Sequence, residues 1–474
     1  MDWLNPLDAA MVTAEVSSPL NIGAVLIVSP PARTGAHYVE HLYHASLTPR
    51  DPLHPWLTRY PHRGARSGGA WVWRQCDAVD LSQHYTYTTL PPGSDRQQLW
   101  QLISQLHAQP LDRTRPMWMS YVIDGLPDGR FAFYIKVHHS VIDGVAGFQA
   151  IAEALSADPH LRQMPAFHAH RSAGGTRRQT RHGRWPTPWS AVRSLAGGTA
   201  DTVAVAQRAT AAQVSNLVAA QVTDTTVAPL AAPHMAFNGR LGAHRTVAGA
   251  NWPRPRIRTV QHKAAATAND VMTAIVAGAL RDWLAEHGQL PSRSLVAICP
   301  ITVRPHHGRE HDDRGGNKFG AWLCPLGTDI ADPAQRLDLI HRAMAEGKHQ
   351  VARRGAAASL LSLAPSICST VLSPLVPLTP KIRTGYNLPI SHVRGPATEM
   401  YWNGCHVEEI YPVSAVYDGQ VVNVTTCSYG DHIGVGYVAD RDVIADSEHL
   451  IALTERALTE LEVAVGVTRR TQVR

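Results

Sequence analysis

The sequence predicts a mixed α/β protein with two large domains, and three observations carry that expectation. Strand-like and helix-like patterns alternate through both halves of the chain. The 474 residues accommodate two large domains, or several smaller ones, at the usual ~100–200 residues each. Between the halves the composition changes, first to an arginine-rich stretch and then to an Ala/Val-rich one. Hydrophobic residues make up 44% of the chain and charged ones 17%, which supplies a core and argues against wholesale disorder.

The elements follow in order. Residues 22–28 form a short β-branched apolar run that reads as a buried strand. Residues 95–107 have helical periodicity through Leu99, Leu102, Ile103 and Leu106. Residues 130–139 are a strong strand candidate. Residues 145–155 are a short helix candidate with Phe148, Ile151, Ala152 and Leu155 at helical spacing. From 168 to 185 the chain carries Arg171, Arg177, Arg178, Arg181 and Arg184 around Gly174 and Gly175, as a solvated linker does. Residues 190–222 are Ala/Val-rich and helix-compatible. Residues 269–287 give the clearest helix, with an apolar stripe through Met272, Val276, Ala279, Leu280 and Trp283, widened by Val271, Ile275 and Gly278, that leaves Arg281 and Asp282 outside it, as on a surface helix. A strand at 295–299, a polar loop at 304–316, a helix at 333–353, a strand at 421–429 and a closing amphipathic helix at 447–463 complete the reading. The expected division is an N-terminal domain at 1–160, a linker or crossover at 161–235, a C-terminal domain at 236–465 and a tail at 466–474.

Composition narrows the function classes. The net charge of +6 and pI of about 9.0 suit anionic partners, namely nucleic acid, a membrane surface or the phosphates of a soluble cofactor, and equally suit a mildly basic soluble protein. No stacking aromatics interleave the basic run, so a nucleic-acid partner is not expected. The six cysteines form no CxxC pair, which removes the usual zinc spacing and any disulfide framework and points to a reduced, cytoplasmic setting. No metal site is expected. The start lacks the basic region of a secretory signal. Residues 355–380 carry no charge, but Pro365, Pro374 and Pro377 interrupt them, which favours a packed helix with a Pro-rich exit over a membrane span.

The segment 131–144, FAFYIKVHHSVIDG, carries the chemistry. Period two places Phe131, Phe133, Ile135 and Val137 on one strand face with His139, and Tyr134, Lys136 and His138 on the other. His139 is thereby aimed at an apolar interior where the strand ends. Asp143-Gly144 then supplies turn chemistry before a helix. An imidazole there, beside a turn carboxylate, suits a general base at neutral pH. A hydrogen-bonded core histidine and a plain turn remain the alternative, and a bulged strand would put His138 in the active position instead.

His138-His139-Ser140-Val141-Ile142-Asp143-Gly144 resembles the HHxxxDG motif of the coenzyme A-dependent acyltransferase superfamily. Further segments narrow the resemblance to bacterial wax ester synthase/diacylglycerol acyltransferases. These are Asn5 to Ala10, Pro110 to Trp118, Asn269-Asp270, Pro300 to Arg304, Gly316-Asn317, Ser391 to Pro396 and Tyr411 to Ser414. The likeness runs from about residue 4 to residue 462. Two positions depart from it, His392 where the family usually has Asn and Met117 where it usually has Leu.

The resemblance implies two similar chloramphenicol-acetyltransferase-like α/β domains with the active site in a tunnel at their interface. It implies His139 as proton acceptor for a lipid hydroxyl attacking an acyl thioester, with His138 in support, Asp143 orienting the loop through a basic partner, and Gly144 allowing close backbone approach. Asn269 either caps its helix or serves the chemistry, by helping to position the loop or to stabilise the thioester oxyanion. No permanently bound cofactor is implied, acyl-CoA being a co-substrate. The implied acceptor is diacylglycerol, giving triacylglycerol. A wax-ester-forming alcohol, another lipid alcohol, and a non-catalytic acyl-CoA or lipid binder are the alternatives. Arg177 to Arg184 followed by Trp185 and Trp189 suit peripheral attachment to the inner membrane face or a lipid droplet, and equally an exposed linker.

Overall fold

The computed structural model describes residues 2–14, 19–35, 37–48, 51–169, 200–302, 319–372 and 384–467. The arginine run at 171–184, Trp185 and Trp189, the loop at 304–316 with Asn317, Pro374 and Pro377, and the chain end beyond 467 lie outside these residues.

The first half comprises β1 (Asp2–Trp3), α1 (Pro6–Ala14), β2 (Asn21–Ser29), α2 (Tyr38–Ser46), β3 (Arg59–His62), β4 (Val72–Gln75), β5 (Tyr85–Thr89), α3 (Arg96–Ala108), β6 (Trp118–Asp124), β7 (Phe131–His138) and α4 (Gly144–Ala154). Helix α5 (Ala200–Val222) leads into the second half. There follow β8 (Arg245–Pro253), α6 (Arg254–Ala264), α7 (Ala268–Glu286), β9 (Val296–Thr302), β10 (Phe319–Pro325), α8 (Pro333–Arg354), α9 (Ala356–Ser362), α10 (Ala364–Leu372), β11 (Leu388–Arg394), β12 (Met400–Trp402), β13 (Cys405–Val413), β14 (Val422–Tyr429), β15 (His432–Asp440) and α11 (Ser447–Ala464).

Two six-stranded mixed sheets organise these elements, in the orders β12-β13-β2-β7-β6-β5 and β10-β9-β11-β14-β15-β8, beside a small sheet in the order β1-β4-β3. The halves are interlocked rather than merely adjacent. The hairpin β12–β13 comes from the second half of the chain but completes the first sheet, with Tyr411 opposite Val25 and Val413 opposite Gly23. At the seam the backbones approach closely. A Cβ at Gly436 would collide with the carbonyl oxygen of Pro412, and one at Gly249 would meet Tyr411 and Trp100. The Ser104 hydroxyl of α3 accepts the Val247 N–H of β8 at 2.8 Å, which ties the two sheets further.

The period-two pattern of β7 decides how the first sheet packs. Phe131 and Phe133 enter a core with Phe148, Phe167 and Trp402, while Ala132 and Tyr134 face Leu99 and Ile103 of α3. Asp95 starts α3 with a capping box, its carboxylate accepting the N–H groups of Gln97 and Gln98. In the second half, α7 runs as a central helix rather than a surface one. Every residue from Asp270 to Leu280 is buried, as are Trp283 and Leu284. The expectation of a single stripe fails because sheet and helices enclose α7 on several sides: Gly278 lies against Ala457 of α11, and α6 and α8 also pack on the helix. Arg281 and Asp282 sit at the rim, where Asp282 pairs with Arg456 at 2.9 Å and Arg281 bonds the Thr328 carbonyl. The uncharged stretch after Arg354 forms two short helices, α9 and α10, and no helix among the described residues is long and apolar enough to cross a membrane.

Candidate active site

The last residues of β7 are pinned from both sides. His138 N–H donates to the Met117 carbonyl at 3.0 Å and His139 N–H to the Leu20 carbonyl at 2.9 Å. Pairing with β2 continues without a register shift to Asn21 opposite His138, so the strand does not bulge before the histidines. The strand geometry ends at His138, and His139 opens the turn.

The two imidazoles have different surroundings. His138 is completely buried, and its Nδ1 accepts the Ser140 N–H at 3.1 Å and lies 2.6 Å from the Ser140 hydroxyl. His139 is half-buried. Its pKa is lowered, first by desolvation and then by His138; a bond to its own backbone and the charge of Asp143 oppose the shift. The ring is therefore neutral at neutral pH.

Asp143 is the N-cap of α4, accepting the Ala146 N–H at 2.8 Å. Helix α4 packs on β2 and on β11, so the capped turn lies where the first half meets the second. A Cβ at Gly144 would meet no atom within 4 Å, so chain packing does not demand glycine there.

Asn269 is not a cap, contrary to one of the two roles expected for it. The cap of α7 is Thr267, which shares a capping box with Asp270: Asp270 N–H donates to Thr267 Oγ1 at 3.3 Å, and Thr267 N–H to Asp270 Oδ2 at 3.0 Å. The helix begins two residues earlier than an Asn269 cap would require. Asp270 is fully buried and also receives a bond from His341 Nδ1 at 2.8 Å, with Lys348 Nζ 4.0 Å away.

Sequence reasoning missed a polar layer beneath β7. Lys136 Nζ donates to the carbonyls of Leu106 at 2.6 Å and Gln109 at 3.0 Å, and Asn21 Nδ2 donates to those of His107 and Gln109. These donors satisfy carbonyls at the C-terminal end of α3 and fasten the 109–117 segment to the strands that carry the histidines. Burial pushes the Lys136 ammonium down to about 8. Burial, with Lys136 second, pushes His107 down to about 3, and its ring lies 2.8 Å from the Tyr134 hydroxyl. A lysine on the polar side of an otherwise apolar strand was the available signal. A cavity of about 240 Å³ opens beside Lys136, His84 and Arg115.

The segments Ser391 to Pro396 and Tyr411 to Ser414, singled out by the resemblance, meet in a second polar group on β11, β14 and the residue after β13. Ser391 and Ser414 each place a hydroxyl within 2.8 Å and 2.7 Å of Thr425 Oγ1, and His392 Nδ1 is 2.8 Å from Thr426 Oγ1. Burial lowers His392 to about 4, so it too is a neutral ring. Among the described residues no cluster of three metal-ligating side chains is present.

The model of the wax ester synthase/diacylglycerol acyltransferase catalytic domain matches residues 4–272, more than half of the chain, and that of the WS/DGAT C-terminal domain matches residues 315–462. A Mycobacterium tuberculosis protein named “Putative diacyglycerol O-acyltransferase Rv0895” is 35% identical over 477 residues, covering 97% of this chain and 90% of that one. Another from the same organism, “Putative diacyglycerol O-acyltransferase Rv3740c”, is 35% identical over 472 residues, covering 98% and 100%. Among solved structures, a wax ester synthase/diacylglycerol acyltransferase from Marinobacter aquaeolei VT8 is 28% identical with a TM-score of 0.75, covering 98% of this chain and 99% of that one. The first condensation domain of the CDA synthetase shares the fold at 14% identity, with a TM-score of 0.58 and coverage of 99% and 97%.

Proposed function

The chain belongs to the wax ester synthase/diacylglycerol acyltransferase family and is an acyl-CoA-dependent acyltransferase; from that premise we propose that it esterifies 1,2-diacylglycerol to triacylglycerol, with His139 as the general base. Nε2 of neutral His139 accepts the proton of the acceptor hydroxyl as its oxygen attacks the thioester carbonyl carbon. The tetrahedral intermediate collapses with cleavage of the C–S bond. The coenzyme A sulfur takes the proton back from the imidazolium, and no covalent enzyme intermediate forms.

The observation that carries this reading is the contrast at the end of β7, where a neutral, half-open His139 stands beside a sealed His138. His138 supports the turn through Ser140. Asp143 acts as a positioning residue, holding α4 and tempering the pKa of its neighbour. Gly144 keeps the backbone bare where substrate passes. Asn269, free of any capping duty, is the candidate donor to the thioester oxyanion. No permanently bound cofactor enters the reaction. Diacylglycerol is preferred as acceptor on the names that the mycobacterial relatives carry. The enzyme would work in the cytoplasm, peripherally on the inner membrane face or on lipid droplets, because its substrates are lipids.

An acceptor panel tests the assignment. Thiol release from palmitoyl-CoA is followed with diacylglycerol, a long-chain alcohol and no acceptor. Release that depends on diacylglycerol is expected. Release only with the fatty alcohol makes the protein a wax ester synthase, and no release with any acceptor makes it a non-catalytic lipid binder.

A further inference from the structure

Four of the eight large hydrophobic side chains that are exposed among the described residues lie on one helix, α5, and a fifth, Leu361, lies on α9, against which α5 packs. Val214, Leu217, Val218 and Val222 are between 47% and 77% exposed and fall on one face. The opposite face buries Ala209, Ala212 and Asn216, and Gln213 Nε2 reaches the Ser362 carbonyl at 3.4 Å. So α5 is held by its inner face and presents an apolar outer one. No charged residue occurs from 209 to 223. Other long helices of the protein carry ion pairs on their exposed faces, Arg342–Asp338 on α8 and Arg456–Glu460 on α11.

The sequence before α5 has the complementary character. Residues 159–200 contain seven arginines, Trp185 and Trp189, and no aspartate or glutamate. An uncharged helix face next to a wholly cationic segment with tryptophans is the composition that settles at the boundary between anionic headgroups and acyl chains. A second copy of the chain fits less well, since pairing α5 with α5 would bring two such cationic segments together.

We propose that the outer face of α5, through Val214, Leu217, Val218 and Val222, docks the protein in the plane of an anionic phospholipid surface. The inference gives the proposed lipid chemistry a place to occur, and rests on that reading for its purpose alone. Vesicle binding is measured without acyl-CoA, so failure of one leaves the other standing.

The experiment floats the full chain with vesicles of phosphatidylcholine, with and without phosphatidylglycerol, and compares wild type with V214Q/L217Q/V218Q/V222Q. Glutamine preserves helix propensity. Wild type is expected to bind the anionic vesicles, less so at high salt, and the variant at least about tenfold more weakly, with far-UV circular dichroism and thermal unfolding unchanged. A variant that partitions like wild type, or a wild type that stays unbound, overturns the proposal. So does a wild-type dimer in solution that the same substitutions dissolve, because the face would then belong to a second copy. If the variant fails to fold, V222Q alone, at the most exposed of the four positions, is read against the same criterion.

Discussion

Asp270→Ala should be among the costliest single substitutions in the second half of the chain, and its cost can be built from the geometry at the start of α7. Oδ2 accepts the Thr267 N–H at 3.0 Å and a bond from His341 at 2.8 Å, with the carboxylate 1% exposed. Loss of the capping bond costs about 1 kcal/mol. Loss of a bond to a buried carboxylate costs roughly 1.5–3 kcal/mol. Removing the buried charge returns part of that sum through relieved desolvation. The stranded partners, Thr267 and His341, both reach solvent and lose little more. The net expectation is about 2–3 kcal/mol in urea unfolding, against about 1 kcal/mol for Thr267→Ala at the exposed half of the same box. The double variant should show a coupling of about 0.5–1 kcal/mol. Asn269→Ala should leave stability within about 0.5 kcal/mol, since Asn269 caps nothing, and act on the rate alone. If Asp270→Ala costs no more than Thr267→Ala, the carboxylate is not the anchor of the helix and this account of the Asn269-Asp270 pair is wrong.

Other expectations follow from the same coordinates. Because burial lowers the His139 pKa, the acid limb of kcat/KM should have its midpoint below the ordinary imidazole value of about 6.5, and Asp143→Asn, which keeps the cap but removes the opposing charge, should move that midpoint lower still; a midpoint above 6.5 would contradict the assignment. His107, His168 and His392 are held neutral with pKa values of about 3, about 4 and about 4, below their unfolded value, so the unfolded chain binds more protons between pH 6.5 and 4. Stability should be full above pH 6.5 and fall as pH drops through that window, by up to ~1.4 kcal/mol per pH unit for each ring; a urea midpoint flat from pH 7 to 5 would refute this. Gly436→Ala should cost about 1–3 kcal/mol in thermal unfolding, because its methyl group has only the Pro412 carbonyl to occupy, and a neutral result would mean the seam can open.

The local patterns of the sequence carried far, because they depend on near neighbours. Asp95 before a periodic run gave the start of α3, and period two along 131–138 separated the two cores of the first sheet. What depends on distant contacts was not legible. Nothing in residues 400–413 says that the hairpin pairs with Val25 and Gly23 of the first half, since strand pairing leaves no local mark. The charges Arg281 and Asp282 implied a surface helix for α7 because they mark only its far end, while the helices that enclose the rest leave no local mark in the sequence. In the candidate site, the spacing of His138, His139 and Asp143 was readable from the motif. A helix cap was among the roles expected of Asn269 because it stands between Thr267 and Asp270, the true i, i+3 pair. Lys136, Asn21 and His107 meet only through the returning end of α3, so their network could not be read from any one segment.

The account rests on the proton that His139 Nε2 takes from the acceptor alcohol. Its most direct test is thiol release from palmitoyl-CoA with diacylglycerol by His139→Ala, with palmitoyl-CoA binding measured on the same sample. The predicted result is a rate reduced ~100-fold or more, the size of a lost general base, with binding retained. A variant that binds palmitoyl-CoA as wild type does and still turns over within a few-fold of it would contradict the claim.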